Sequence, residues 1–264
     1  MALSRVLYSY AWIRGDFPGP KYLTNQPPAS KQIDWLLLHG ASMDARMWQG
    51  IVNHCSNQRV LAVSLANHNL STKLAKPGIE PSQEIIKLLK QYQIKQGIIT
   101  HSSGAVWLAN AYAGCPSCFK DLKIYLLVPN FGYLQISKTE RLLLDVLPSI
   151  AWEGLTIDSC VNSSDYAQCK HDYLYGRLYY VSNLNYFKTL LNLCARPETQ
   201  ANIHQLVTQL AGQTHYILAK GDVLIDNNKL QAFLTANHLP FTMLAHTSHH
   251  EAYKYAAQIM NCRA

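Results

Sequence analysis

Short apolar runs of strand length alternate along this chain with stretches that repeat apolar residues every three to four positions. The strand-like runs are Ile33 to Leu38 (IDWLLL), Arg59 to Leu65 (RVLAVSL), Gln96 to Thr100 (QGIIT), Leu122 to Val128 (LKIYLLV), His215 to Ala219 (HYILA) and Pro240 to Ala245 (PFTMLA). Brief continuous apolar runs bounded by turn formers read as buried strands. The helical stretches are Ala45 to His54, Ser82 to Tyr92, Gly104 to Ala113, Asn227 to His238 and Glu251 to Met260. In the second of these, Ile85, Leu88, Leu89 and Tyr92 share one face, and Ser82 is positioned as an N-cap. Strand and helix in alternation predict an α/β fold: a mostly parallel central sheet, helices on both faces, right-handed crossovers.

The alternation fails from Leu134 to His204. That region is rich in tyrosine (Tyr166, Tyr173, Tyr175, Tyr179, Tyr180, Tyr186) and reads as a helical insertion over the functional edge of the sheet. The expected organisation is a core domain of residues 1–133 and 205–264 with a helical cap at 134–204. A chain of 264 residues is long enough for both.

Chemistry concentrates where runs end. In Gly97 to Ala113 (GIITHSSGAVWLANAYA) a strand enters Thr100-His101-Ser102-Ser103-Gly104 and a helix follows at once. A nucleophilic serine on a sharp strand-to-helix turn needs small neighbours so that the two backbones can approach. Gly104 supplies one after Ser102; Thr100 stands where glycine is common before it. The Ser103 N–H, at the head of the helix, is placed to face an oxyanion. His39-Gly40 ends the first strand, and the Ala41 N–H after it is the second expected oxyanion donor. Ile217 to Ile225 (ILAKGDVLI) offers Asp222 just past a strand, where a carboxylate can accept from the Nδ1–H of a histidine base. Asp226 is the alternative, further from the strand end. Leu244 to Tyr253 (LAHTSHHEAY) offers His249 as base, with His246 and His250 as alternatives.

Several function classes lack support in the sequence. The formal charge of +7 is not clustered: no four consecutive Lys/Arg occur, and no basic helix is interleaved with aromatics, so no nucleic-acid partner is expected. No stretch approaches the ~20 apolar residues that span a bilayer, so no stable membrane insertion is expected. The N-terminal residues lack an apolar region followed by a small-residue cleavage site, and a cytoplasmic location is expected. The seven cysteines leave at least one unpaired, and Cys115-x-x-Cys118 lacks the second pair that a zinc site needs.

In these residues the chain resembles the α/β-hydrolase superfamily, in its capped, esterase-like branch. A His-Gly oxyanion loop, a nucleophile elbow, a late Asp and a final His occur in that order and at comparable spacing. The loop Ser64 to Ser71 (SLANHNLS) is similar to the family's Asp-Leu-Pro-Gly-His-Gly-Arg-Ser loop, keeping Leu65, His68 and Ser71. Thr100 and the remaining replacements in that loop mark a divergent member. The resemblance implies Ser102 as nucleophile, Asp222 as acid and His249 as base.

The reaction expected is hydrolysis of a carboxylic ester or thioester through an acyl-enzyme, with no cofactor and no metal. The alternatives are carbon–carbon bond hydrolysis or acyl transfer on the same triad, or a non-catalytic ligand-binding protein; an intact Ser, Asp and His argue against the last. The aromatic insertion points to a small-molecule or acyl-carrier-linked ester with an apolar group. The insertion, taken as 134–205, holds six Lys/Arg and seven Asp/Glu, so the excess positive charge belongs to the core and would steer an acidic carrier.

Overall fold

The computed structural model describes residues 22–25, 31–40, 45–65, 80–135, 193–249 and 251–262. Seven strands form one sheet: β1 (Tyr22–Thr24), β2 (Gln32–Leu38), β3 (Val60–Val63), β4 (Gln93–His101), β5 (Lys123–Leu127), β6 (Thr214–Gly221) and β7 (Phe241–Ser248). Their order is β1-β3-β2-β4-β5-β6-β7. β1 runs antiparallel to β3, and all other pairs are parallel. The chain lays β3 on one side of β2, then crosses back and lays β4 on the other. The strand order therefore reverses between β2 and β4, and the crevice beyond their carboxyl ends is where open α/β sheets bind ligands. Leu38 pairs with Thr100 in that register, which sets Gly40 beside Ser102.

The apolar runs are continuous because each strand feeds two cores. Ile33, Leu36 and Leu38 of β2, Ile98 of β4, Ile124 and Leu126 of β5 and Leu218 of β6 face one side. Trp35, Leu37, Ile99, Leu127 and Ile217 face the other. Each such side chain contributes roughly 1.5–3 kcal/mol by leaving water, and a strand polar on alternate positions would forfeit one layer. Helices α2 (Pro81–Gln91), α3 (Gly104–Gly114), α4 (Pro197–Gln209) and α5 (Asn227–Ala236) cover the first side. A 3₁₀ turn at Ala45–Trp48 with α1 (Gln49–His54), and a second at Ala252–Lys254 with α6 (Tyr255–Ile259), cover the second. Helix α3 is buried nearly all round, because α2 and α4 flank it while its inner side lies on the sheet.

Several local expectations shift. Ser82 is not the N-cap of α2: Glu80 holds that place in extended conformation and Pro81 is the first helical residue. Proline suits that position, since the N–H it lacks would have no helical partner. β4 begins at Gln93 because Gln93 and Ile94 pair with Gln32 and Ile33. β7 continues to Ser248, paired with Gly221, which carries the chain directly to His249. The last helical stretch is a 3₁₀ turn followed by a short α-helix. Helix α4 spans the expected cap boundary at residue 204 and packs Ile203, Leu206 and Val207 into the core. Most of the expected cap, residues 136–192, lies outside the described residues, as does the 66–71 part of the loop after β3.

Among the described residues two disulfides form, Cys55–Cys262 and Cys115–Cys118, and Cys194 is free and buried. The first ties the end of α1 to the chain after α6 across 207 residues; closing so long a loop is worth about 5 kcal/mol in the chain-entropy account. Sequence alone paired neither bond, since the partners of the first share no local pattern. No helix among the described residues is long and apolar enough to cross a membrane.

Candidate active site

The elbow is built by close approach. β4 ends at His101, and two residues later Ser103 is the N-cap of α3. Turning that sharply forces Ser102 to φ 50°, in the left-handed region, a conformation that costs of order 1–3 kcal/mol for a residue with a Cβ. Hydrogen bonds on both sides hold it: Ser102 N–H donates to Leu127 C=O at 2.9 Å, and Ser102 C=O accepts from Asn130 N–H and Ala105 N–H, each at 3.1 Å. Gly104 is required because a Cβ there would stand 2.0 Å from Thr100 Oγ1 and 2.8 Å from His39 O. Thr100 is thus accommodated: its side chain occupies the space the missing Cβ leaves. Gly40 is required likewise, since its Cβ would lie 2.9 Å from Ser102 Cβ.

From Ser102 a continuous hydrogen-bonded series runs through two further strand ends. His249 Nε2 lies 2.9 Å from Ser102 Oγ, and His249 Nδ1 lies 2.7 Å from Asp222 Oδ2. Since the carboxylate only accepts, Nδ1 carries the proton; Nε2 of the neutral ring is then free to accept from the serine hydroxyl. Asp222 follows β6, and its other oxygen accepts from Leu224 N–H at 2.8 Å and Ile225 N–H at 2.9 Å. Burial pushes the Asp222 carboxyl up, but the electrostatic pull of the His249 ring, its hydrogen bond and those two amides outweigh it. The net effect holds the group below its ordinary range and keeps it ionised. All three side chains are buried, with Ser102 the most accessible at 8%.

The alternatives separate cleanly. Asp226 caps α5, accepting from Lys229 N–H and pairing with Lys229 Nζ at 3.2 Å, whereas the carboxylate bonded to His249 is that of Asp222. His246 is exposed on β7. His250 and Ala41 lie outside the described residues, whereas Ser103 stands at the head of α3 as expected.

Further hydrogen bonds surround these side chains. Asn130, past β5, donates from Nδ2 to Ser103 Oγ at 3.2 Å. His39 Nε2 accepts from Leu65 N–H at 2.9 Å, so its Nδ1–H donates to Gly40 C=O at 2.7 Å. Glu251 accepts from Ser248 Oγ at 2.8 Å and closes the turn that presents His249. The Asn130 and Leu65 contacts are set by tertiary approach, whereas Ser248 and Glu251 stand at the local Ser-x-x-Glu spacing of a capping box, which could have been read from the sequence. His101 lies inside the elbow motif, and its Nε2 meets the main-chain oxygen of a residue 148 positions away. Among the described residues no group of three or more His, Cys, Asp or Glu is arranged to hold a metal ion.

A parallel α/β sheet carrying a Ser–His–Asp hydrogen-bonded series at its carboxyl edge is the architecture of the α/β-hydrolase fold. Solved structures place the chain in that fold. An α/β-hydrolase fold protein from Burkholderia ambifaria is 14% identical, with a TM-score of 0.61 over 90% of this chain and 91% of its own. The carboxylesterase CesB from Bacillus subtilis is 12% identical, with a TM-score of 0.57 over 97% of this chain and 96% of its own. The thioesterase domain from the curacin biosynthetic pathway is 13% identical, with a TM-score of 0.58 over 91% and 93%. No family model matches the sequence, and no curated protein does. The chain has the α/β-hydrolase fold, with a sequence that has diverged widely from these relatives in shape.

Proposed function

We propose that the protein is a serine hydrolase that cleaves a carboxylic ester or thioester through an acyl-enzyme, with Ser102 as nucleophile, His249 as general base and acid, and Asp222 as the group that orients it. One observation carries the reading: the series Ser102 Oγ, His249 Nε2, His249 Nδ1, Asp222 Oδ2, with links of 2.9 and 2.7 Å. In the reaction Ser102 Oγ forms a bond to the substrate carbonyl carbon as its proton passes to His249 Nε2. Negative charge collects on the carbonyl oxygen, where the N–H groups of Ser103 and Ala41 stabilise it. Collapse breaks the bond to the leaving group, which takes the proton from His249. Water then attacks the acyl carbon, giving its proton to His249, and the acid departs as Ser102 recovers a hydrogen. Ionised Asp222 stabilises the imidazolium in both halves. No cofactor enters this scheme. Carboxylesterase and thioesterase neighbours are consistent with either leaving group. The tyrosine-rich insertion at 134–204 is proposed as a cap that receives an apolar acyl or aryl group, free or carrier-linked.

Turnover of a p-nitrophenyl ester series by wild type and Ser102→Ala tests the reading. Wild type is expected to hydrolyse at least one ester, and the alanine variant to lose ~10⁴-fold or more in kcat while keeping its melting temperature. A folded alanine variant with near-wild-type rates would overturn the assignment.

A further inference from the structure

Next to the proposed nucleophile sits a second buried imidazole that the reaction scheme does not use. His101 is the last residue of β4, 1% exposed, and its Nε2 lies 2.8 Å from the main-chain oxygen of His249. A carbonyl only accepts, so His101 carries its proton on Nε2 and donates. Among the described residues its Nδ1 has no hydrogen-bond partner; it faces Gly40, where a Cβ would stand 2.8 Å away. The two imidazole rings are 5.0 Å apart, edge to face. Burial, with His249 and His39 nearby, lowers the His101 pKa to about 3 against the opposing pull of the bond to His249 and of Asp222, so the ring is neutral.

The bond to His249 leaves the other ring nitrogen buried without a partner among the described residues. A leucine in the same place would bury no such nitrogen, but it would take the donor away from the His249 oxygen. What His101 offers that leucine lacks is one donor aimed at one oxygen, and that oxygen belongs to the residue carrying the base.

We infer that His101 is a positioning residue that braces the backbone of His249 against the strand bearing Ser102, setting the distance across which the proton moves. The brace spans the two strand ends, β4 and β7, that carry nucleophile and base, while Asp222 after β6 fixes only the ring. His249 is thus held twice, by its side chain from Asp222 and by its main chain from His101. Without the second tie the turn at 249 can shift relative to Ser102 Oγ. A displacement of about 1 Å between reacting groups can cost ~10²-fold in rate.

The inference rests on the reading of Ser102 and His249 as nucleophile and base, and the test separates the two. Steady-state hydrolysis of a p-nitrophenyl ester is measured for wild type, Ser102→Ala, His101→Leu and His101→Gln. Glutamine keeps an N–H donor at about the distance of His Nε2. The brace predicts that His101→Leu loses roughly 10- to 100-fold in kcat with KM within about threefold, and that His101→Gln recovers most of the loss. If Ser102→Ala is inactive and folded His101→Leu keeps wild-type kcat, the brace is wrong and the triad stands. If Ser102→Ala retains turnover, the triad reading falls and the brace with it. Equal losses in the Leu and Gln variants would also overturn the brace, since the donor would then not be what matters. Should the variants fail to fold, ¹⁵N NMR of the histidine rings in the wild-type chain decides. A neutral His101 with its proton on Nε2 supports the inference, and a proton on Nδ1 overturns it.

Discussion

The proposed nucleophile and the proposed base are held in place by different means. Ser102 is fixed by backbone geometry. A strand and a buried helix meet at a left-handed residue, two glycines admit the approach, and three backbone hydrogen bonds lock it. His249 follows β7, one of the two edge strands of the sheet, whose residues are half-buried or exposed. It is held by hydrogen bonds from other elements: the Asp222 carboxylate, the His101 ring, and the turn closed by Glu251. The contrast predicts that damage at the elbow destroys the fold and the chemistry together, while damage at the base can remove the chemistry alone.

Several variants break or sharpen that contrast. The largest effect is expected from His249→Ala, which should lower kcat by ~10⁴-fold or more with the melting temperature within a few degrees of wild type. Kinetics paired with thermal unfolding checks it, and a comparable loss of stability would place the base on the same footing as the elbow. Next is Gly104→Ala. Its added Cβ would meet Thr100 Oγ1 and the His39 carbonyl well inside contact distance, and backbone cannot yield as a flexible side chain can. A loss of about 3 kcal/mol or more in urea unfolding is expected, with activity lost in parallel. A stable, active Gly104→Ala protein would remove the close-approach argument.

Acidification acts on the polar side of the comparison. With a His101 pKa of about 3, the unfolded chain binds a proton below pH ~6.5 that the folded chain refuses. Stability therefore falls as the pH drops from ~6.5 toward about 3, by up to roughly 1.4 kcal/mol per pH unit from this group. Asp222, with its lowered pKa, adds loss of the same sign as the pH falls through the carboxylate range. Urea midpoints between pH 7 and 5 should decline for wild type and decline less steeply for His101→Gln. The smallest effect belongs to Asp226→Ala. Its carboxylate caps α5 and meets Lys229, so melting should drop by a few degrees at most while kcat stays within about twofold. A loss of kcat comparable to that of Asp222→Asn would reopen the choice between the two aspartates.

Much of this was legible in the sequence because it is local. The apolar runs of β2 to β7 and the periodicity of α2 follow from burial alone. Ser102, Asp222 and His249 follow the ends of β4, β6 and β7, which share one edge of the sheet. Strand ends and caps were less legible. Glu80 rather than Ser82 caps α2, and β7 runs on past Ala245 to Ser248, where it pairs with Gly221. What could not be read depends on distant approach. Cys55 and Cys262 are 207 residues apart; Asn130 and His101 meet their partners only once the sheet exists. Thr100 looked like a departure from pattern because the volume that accepts it, beside Gly104, is a property of the elbow.

The central claim is that Ser102 is the activated nucleophile. Treating the native protein with a fluorophosphonate and mapping the adduct by peptide mass spectrometry tests it most directly. The account predicts one stoichiometric adduct on Ser102, absent from Ser102→Ala and strongly slowed in His249→Ala. No adduct on the folded protein, or an adduct on another residue, would contradict it.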